Sequence, residues 1–252
     1  MTEHRYEQYC GLARALDVVG DRWALLIVRE LMLGPRRFTD LLDGLPGISR
    51  KVISERLRAL ESNGVIARAQ LPPPAARQVY ELTGEGRDLA AAMIPLVAWG
   101  ARRLGARRPA ESFRPQWAAL AMALFADTDT AAEVDETYQI LVGSSAFHFI
   151  VGNGTVQLRD GRADAPAVTL TTDEQTWTDI ACGAITASAA VDAGRLTVAG
   201  DRQAGHRLKR IMSRDRVLAG AEKRIGSQSP PAARPMTGGA ATGSQNPAGD
   251  AR

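Results

Sequence analysis

Side chains able to do covalent or metal chemistry are few and scattered in this chain. His4, His148 and His206 are its three histidines, Cys10 and Cys182 its two cysteines, and none of them falls at metal-ligand spacing. Gly152, Asn153 and Gly154 suit a tight turn rather than a dinucleotide fingerprint, and no phosphate-cradling loop or nucleophile motif is present. The pattern points away from an enzyme and calls for no cofactor. The cations are more telling. Between Ser49 and Gly64, Val52, Ile53, Leu57 and Leu60 draw one apolar stripe on a helix, and Arg50, Lys51, Ser54, Glu55 and Arg58 occupy the other face. A helix face led by a hydroxyl and two cations suits a DNA groove, where phosphates take cations and base edges take hydrogen-bond donors. A merely solvated face fits that helix equally well when it is read alone.

The elements around it narrow the choice. Leu12, Leu16 and Val19 share a face of a helix from Cys10 to Val19, which Gly20 ends. Asp21 is placed to cap a second helix, Arg22 to Leu33, with Trp23, Leu26, Ile27 and Leu31 at helical spacing. Gly34 and Pro35 stop it, and Arg36 and Arg37 lead into a short helix from Phe38 to Asp43, which contains Thr39. Short helices ending in a basic one, joined by brief turns, form a helix-turn-helix pattern. Val65 to Leu71 and Gln78 to Leu82 then read as two strands around a Pro72, Pro73, Pro74 tip, which makes a winged helix with Arg68 and Arg77 on its arms. Thr83 caps a further helix to Leu104, with Pro95 inside it and Leu89, Met93 and Val97 in register.

From Cys10 to about Leu104 the chain resembles the HxlR-type winged-helix transcription regulators, through ALDVVGDRWALLIVRELMLGPRRFTDLLDGLPGISRKVISERLRALESNGVI and the later YELTGEGRDL. The resemblance implies a homodimer on palindromic operator DNA, with the helix matching Ser49 to Asn63 in the major groove and the wing beside it. It implies a dimer interface from the helices matching Cys10 to Gly20 and Thr83 to Leu104. Contacts to DNA are then expected from Arg36, Arg37, Thr39, Ser49, Arg50, Lys51, Ser54, Arg58, Arg68 and Arg77. Gly84 departs from the proline that usually follows the capping threonine. Some members of the family sense oxidants or electrophiles through a cysteine where Cys10 stands; a small apolar residue buried at the dimer interface is the other reading of that position.

Residues 105–115, rich in Arg and Pro, read as a linker to a second unit. A helix from about Gln116 to Ala126 comes first there. Strands follow near Tyr138 to Val142, Ala146 to Val151, Val156 to Arg159 and Ala167 to Thr171, with Asn153 and Gly154 as a hairpin turn. Asp173 to Cys182 and Ser188 to Ala193 read as helices, Leu196 to Ala199 as a last strand and Arg202 to Met212 as a last helix: an α+β layer with one sheet face covered. This half resembles the sterol-carrier-protein-like lipid-binding fold, through the VTLTTD and GRLTVAGD phrases within FHFIVGNGTVQLRDGRADAPAVTLTTDEQTWTDIACGAITASAAVDAGRLTVAGD. That implies a tunnel for apolar ligands, lined by Leu124, Phe125, Phe149, Trp177 and Ile180; the same residues would serve as plain core.

Composition agrees with two unlike halves in a chain of 252 residues. Residues 1–108 hold 17 Lys plus Arg against 12 Asp plus Glu, net +5, and the remainder 14 against 16, net −2, which suits a polyanion partner for the first half only. The organisation read from the sequence is α+β: a winged helix-turn-helix DNA-binding and dimerisation domain over 1–108, a sterol-carrier-protein-like ligand domain over 109–225 and a disordered tail over 226–252, where nine of 27 residues are Gly or Pro. Two cysteines and a polar opening, Met1 to Tyr9, indicate a cytoplasmic protein. The run Gln139 to Leu158 lacks formal charge, but Gly143 and Gly152 punctuate it, so no membrane span is expected. The expected function is a transcription regulator, a homodimer on double-stranded operator DNA, responsive to an apolar small molecule or lipid. A redox-sensing regulator acting through Cys10, with a purely structural second domain, and a lipid carrier are the alternatives.

Overall fold

The computed structural model describes residues 6–71, 77–104, 107–108 and 110–212. His4, the Pro72 to Pro74 tip, part of the expected linker and the expected disordered tail lie outside them. The first half comprises α1 (Gly11–Val19), α2 (Ala24–Leu31), α3 (Phe38–Gly44), α4 (Arg50–Ser62), β1 (Ile66–Gln70), β2 (Gln78–Leu82) and α5 (Gly84–Ala101). Ser49 starts α4 as a cap, its Oγ accepting from the Val52 amide at 3.2 Å, and Ile53, Leu57 and Leu60 are buried at helical spacing. They pack on Ile27, Leu31 and Leu41 from α2 and α3, so the apolar stripe of α4 anchors it and its polar face stays outside.

Two local details depart from expectation. Asp21 does not cap α2; Trp23 holds that position without a side-chain cap, and the Asp21 carboxylate pairs with Arg56 of α4. The two-stranded wing also gains an isolated bridge, because Arg36 pairs with Tyr80 of β2 through N–H to carbonyl bonds of 2.9 and 2.7 Å. β1 and β2 pair antiparallel, with Arg68 opposite Tyr80. Thr83 caps α5 as expected, its Oγ1 accepting from the Gly86 amide at 3.1 Å. Gly86 is required there, since a Cβ would lie 2.0 Å from the Val65 carbonyl oxygen.

The second half contains α6 (Pro115–Leu124), α7 (Thr128–Ala132), β3 (Glu136–Val142), β4 (Ser145–Gly152), β5 (Thr155–Asp160), β6 (Val168–Thr172), α8 (Glu174–Cys182), α9 (Ala187–Asp192), β7 (Leu196–Gly200) and α10 (Arg202–Ile211). Asn153 and Gly154 turn β4 into β5 with φ of +51° and +71°, the geometry a two-residue hairpin needs. The sheet order is β5-β4-β3-β6-β7. The pairings are antiparallel except at β3 and β6, which run parallel, because the chain crosses the sheet between β5 and β6. That crossing is held at Ala163, whose amide donates to the buried Gln139 side chain at 2.7 Å. Tyr138, Ile140, Phe147, Phe149 and Val151 alternate onto one face and are buried with residues of α6, α8 and α10. The short helix α7, capped by Asp127, is an addition to the expected elements.

The two halves share packed surface. Leu33, just beyond α2, is buried within the core of the second half, and Met32 packs against both cores. Around them Trp117 of α6 donates through Nε1 to the buried Glu30 carboxylate at 2.8 Å, and the Arg29 guanidinium lies 4.2 Å from the centre of the Trp117 ring while pairing with Glu30. Among the described residues, no helix is long and apolar enough to cross a membrane.

Candidate nucleic-acid interface and ligand site

The exposed face of α4 carries Arg50 and Lys51 in its first turn and Arg58 two turns on. Among the described residues, none of the three is in an ion pair, so each is available to a phosphate or base edge. Arg50 lies 6.0 Å over the Phe38 ring, which limits its swing, and Ser54 Oγ donates to the Arg50 carbonyl at 2.7 Å. Arg58 Nε reaches the Ser54 carbonyl at 3.2 Å, so the polar face is knitted along the helix. Ser49 is spent as the cap, although its side chain remains exposed. Thr39 is exposed on α3.

On the wing, Arg77 is exposed beside a concavity of about 270 Å³, lined also by Pro35, Arg37, Asp40, Leu71 and Val79. Arg37 grips Asp40 with two guanidinium nitrogens, at 2.9 and 2.6 Å, and this side-chain contact is the main reason the Asp40 carboxyl is held below the usual carboxylate range. Arg68 pairs with Glu61 at 3.2 Å and lies 5.7 Å over Tyr80, next to a second concavity of about 380 Å³ formed with Ala69, Gln70 and Gln78. Arg36 corrects the sequence reading. Its guanidinium is not presented outward but holds Asp160 of β5 at 2.7 Å, with the side chain only 15% exposed. The backbone bridge to Tyr80 holds Arg36 at the edge of the wing, where its guanidinium meets Asp160.

The residues expected to line a tunnel are packed instead against their neighbours. Phe149 and Trp177 both meet Phe147 edge-on, at ring-centre distances of 6.2 and 5.5 Å, and Trp177 Nε1 donates to the Pro115 carbonyl at 3.1 Å. Phe125 is buried but does not belong to that core cluster, Leu124 lies partly buried against it, and Ile180 is half-buried on α8 outside it. Large aromatic rings at these spacings fill the space between sheet and helices, so a ligand would have to displace them.

Cys10 is exposed immediately before α1 within the single chain, and the peptide N–H groups of Ala13 and Leu12 at the helix start hold its thiol below the usual cysteine range. Large apolar side chains are exposed on two helices: Leu12 and Leu16 on α1 are 68% and 39% exposed, and Leu96 and Trp99 on α5 are each 49% exposed, with Arg103 over the Trp99 ring. This shifts the expected face of α5. Met93 is buried in the chain's own core and Leu89 packs against it, so Leu96 and Trp99 face outward in their place.

A basic helix resting on two others, with a two-stranded wing beside it, defines a winged helix-turn-helix protein. Residues 18–108 match the HxlR-like helix-turn-helix family, and residues 122–213 match the SCP-2 sterol transfer family. The HTH-type transcriptional regulator YodB of Bacillus subtilis is 39% identical over 85 residues, which cover 34% of this chain and 76% of YodB. An HTH-type transcriptional regulator of Mycobacterium tuberculosis is 45% identical over 97 residues, covering 38% of this chain and 60% of that protein, so this chain spans about three fifths of that relative's length. The solved structure of reduced YodB is 35% identical and superposes on 38% of this chain and 94% of its own, with a TM-score of 0.34. The chain belongs to the HxlR-like helix-turn-helix family.

Proposed function

We propose that this chain is a homodimeric, sequence-specific DNA-binding regulator of transcription whose second half senses an apolar small molecule or lipid. The observation that carries the DNA reading is the α4 face, where Arg50, Lys51 and Arg58 stand without ion pairs among the described residues, together with the exposed Arg77 of the wing. Ser49, Ser54, Thr39, Arg37 and Arg68 border this face and supply further donors, several already oriented by neighbours. In this reading α4 enters the major groove and the wing lies along the adjacent backbone. Leu12, Leu16, Leu96 and Trp99 form the dimer surface, an apolar patch of the kind that marks association. Purified protein assayed at two salt concentrations tests this. The regulator holds one operator tightly, while its background affinity for unrelated DNA falls steeply as salt rises.

The sensor role rests on the match of residues 122–213 to the SCP-2 sterol transfer family and on the packed junction between the halves. Ligand entry requires rearrangement of Phe149 and Trp177 against Phe147. Titration with a fatty acid, monitored by Trp177 fluorescence, tests it; an unchanged signal at all concentrations removes the ligand role for fatty acids.

A second reading is favoured by Cys10 alone. Its exposure and its lowered pKa suit a thiol that reacts with electrophiles. Loss of operator affinity on alkylation, abolished in Cys10→Ser, would support redox sensing with a structural second domain.

A further inference from the structure

Arg36 takes part in the hydrogen bonding of both halves. Through its backbone it bridges to Tyr80 at the edge of the wing, and Tyr80 stands opposite Arg68 on β1, so Arg36, Tyr80 and Arg68 make a row across the wing. Through its guanidinium it holds the Asp160 carboxylate at the end of β5, where Gln116 of α6 reaches the other carboxylate oxygen at 3.4 Å. The arrangement is only half satisfied, because Arg36 Nε and Gln116 Oε1 are buried without a hydrogen-bond partner among the described residues. An ion pair in such a place adds little net stability over apolar packing, and its value lies in fixing one relative position. Partly satisfied polar contacts are also the ones most readily exchanged for another arrangement.

We infer that the Arg36–Asp160 pair is the link through which the second half sets the position of the wing, so that a rearrangement in the sheet domain changes DNA affinity without touching DNA. The inference rests on the proposed reading of the first half as a DNA reader and the second as a sensor. It adds the route between them: β5 and α6 act on Asp160, Asp160 on Arg36, and Arg36 on the hydrogen bonds that hold β2. Coupling of this kind requires only that the two arrangements of the pair differ in how well they present the wing.

The test uses the full chain as native protein, as Asp160→Asn and as the charge-swapped Arg36→Asp/Asp160→Arg. Two quantities are measured: affinity for a selected operator at fixed salt, and hydrogen exchange of the Tyr80 amide, which donates to the Arg36 carbonyl. Asp160→Asn should lower operator affinity by roughly 5- to 150-fold, the range of typical site-to-site coupling, and should speed Tyr80 exchange. The charge swap should restore both. Unchanged affinity and exchange in Asp160→Asn would overturn the link. Tighter DNA binding by Asp160→Asn would overturn it too, since Asp160 would then merely compete with phosphate for Arg36. An affinity loss that the swap fails to restore, with Tyr80 exchange unmoved, would likewise reduce Arg36 to a direct DNA contact. If Asp160→Asn melts well below the native chain, Gln116→Met, which removes the second partner of Asp160 at similar volume, carries the same comparison. Should the native chain select no operator, the DNA-reading function falls, and Tyr80 exchange still decides the link.

Discussion

Trp117 of α6 donates its indole N–H to the carboxylate of Glu30, a residue of α2 that is 3% exposed. A buried acid of the winged helix is thereby satisfied by a side chain of the other half, and Arg29 completes the shell by pairing with Glu30 and stacking on Trp117. The two halves therefore unfold as coupled units. Trp117→Phe keeps much of the apolar bulk and removes the donor, leaving Glu30 one partner short. It should destabilise the chain by about 1 to 3 kcal/mol, the cost of an unmet buried polar group. Urea titration followed by circular dichroism checks the figure; an unchanged midpoint would show that the Trp117–Glu30 bond does not couple the halves.

Arg50 and Arg77 should fail in different ways when truncated. Arg50 stands on the α4 face, where a fork of two donors can read guanine, so Arg50→Ala should cost about 1 to 3 kcal/mol of discrimination between operator and mismatched sequences. Arg77 stands on the wing beside Arg37, and Arg77→Ala should weaken all sequences alike and lower the salt slope by about one. Competition binding against single-base variants separates the two outcomes.

Leu16 of α1 is exposed, as are Leu96 and Trp99 of α5, the residues proposed as the dimer surface. Leu16→Asp places a charge where burial against a second copy is expected, and it should convert a dimer to a monomer in sedimentation at micromolar concentration with little change in helix content. Operator affinity should fall with it, because a twofold site needs both copies.

Glu136 controls part of the response to acid. Burial alone would push its carboxyl up, but bonds from the Arg207 guanidinium and the Tyr138 hydroxyl outweigh this and hold it below the usual glutamate range. The stabilisation is present above the unfolded-state pKa, about 4.3, and is lost as pH falls through the folded value below it. Stability measured in urea should thus decline below about pH 5, and Glu136→Gln should flatten that decline while lowering stability at neutral pH.

Legibility of the chain followed the range of the forces involved. The stripe Ile53, Leu57, Leu60, the Ser49 and Thr83 caps, and the Asn153–Gly154 turn are local, and the structure contains each of them. The pairing of Arg36 with Asp160 was not legible, because the two lie 124 residues apart and an Arg pair in sequence carries no mark of it. Spacing on α5 revealed the stripe Leu89, Met93 and Val97 but not which side the chain's own core would claim: Met93 is buried there with Leu89 against it, while Leu96 and Trp99 are exposed. Phe149 and Trp177 were legible as apolar residues between sheet and helices, yet only the distances among rings show that they meet Phe147 rather than line open space. The Asp127 cap was a signal for α7 that could have been read, but five residues give too little periodicity to support it.

The central claim, that α4 and the wing of a dimer read DNA, is tested most directly by selecting binding sites from a random duplex pool with the purified chain. The account predicts enrichment of a palindrome whose half-sites are spaced by about one helical turn, roughly 34 Å, and its loss in Arg50→Ala. A pool that binds only at low salt, with no sequence enriched, would contradict it.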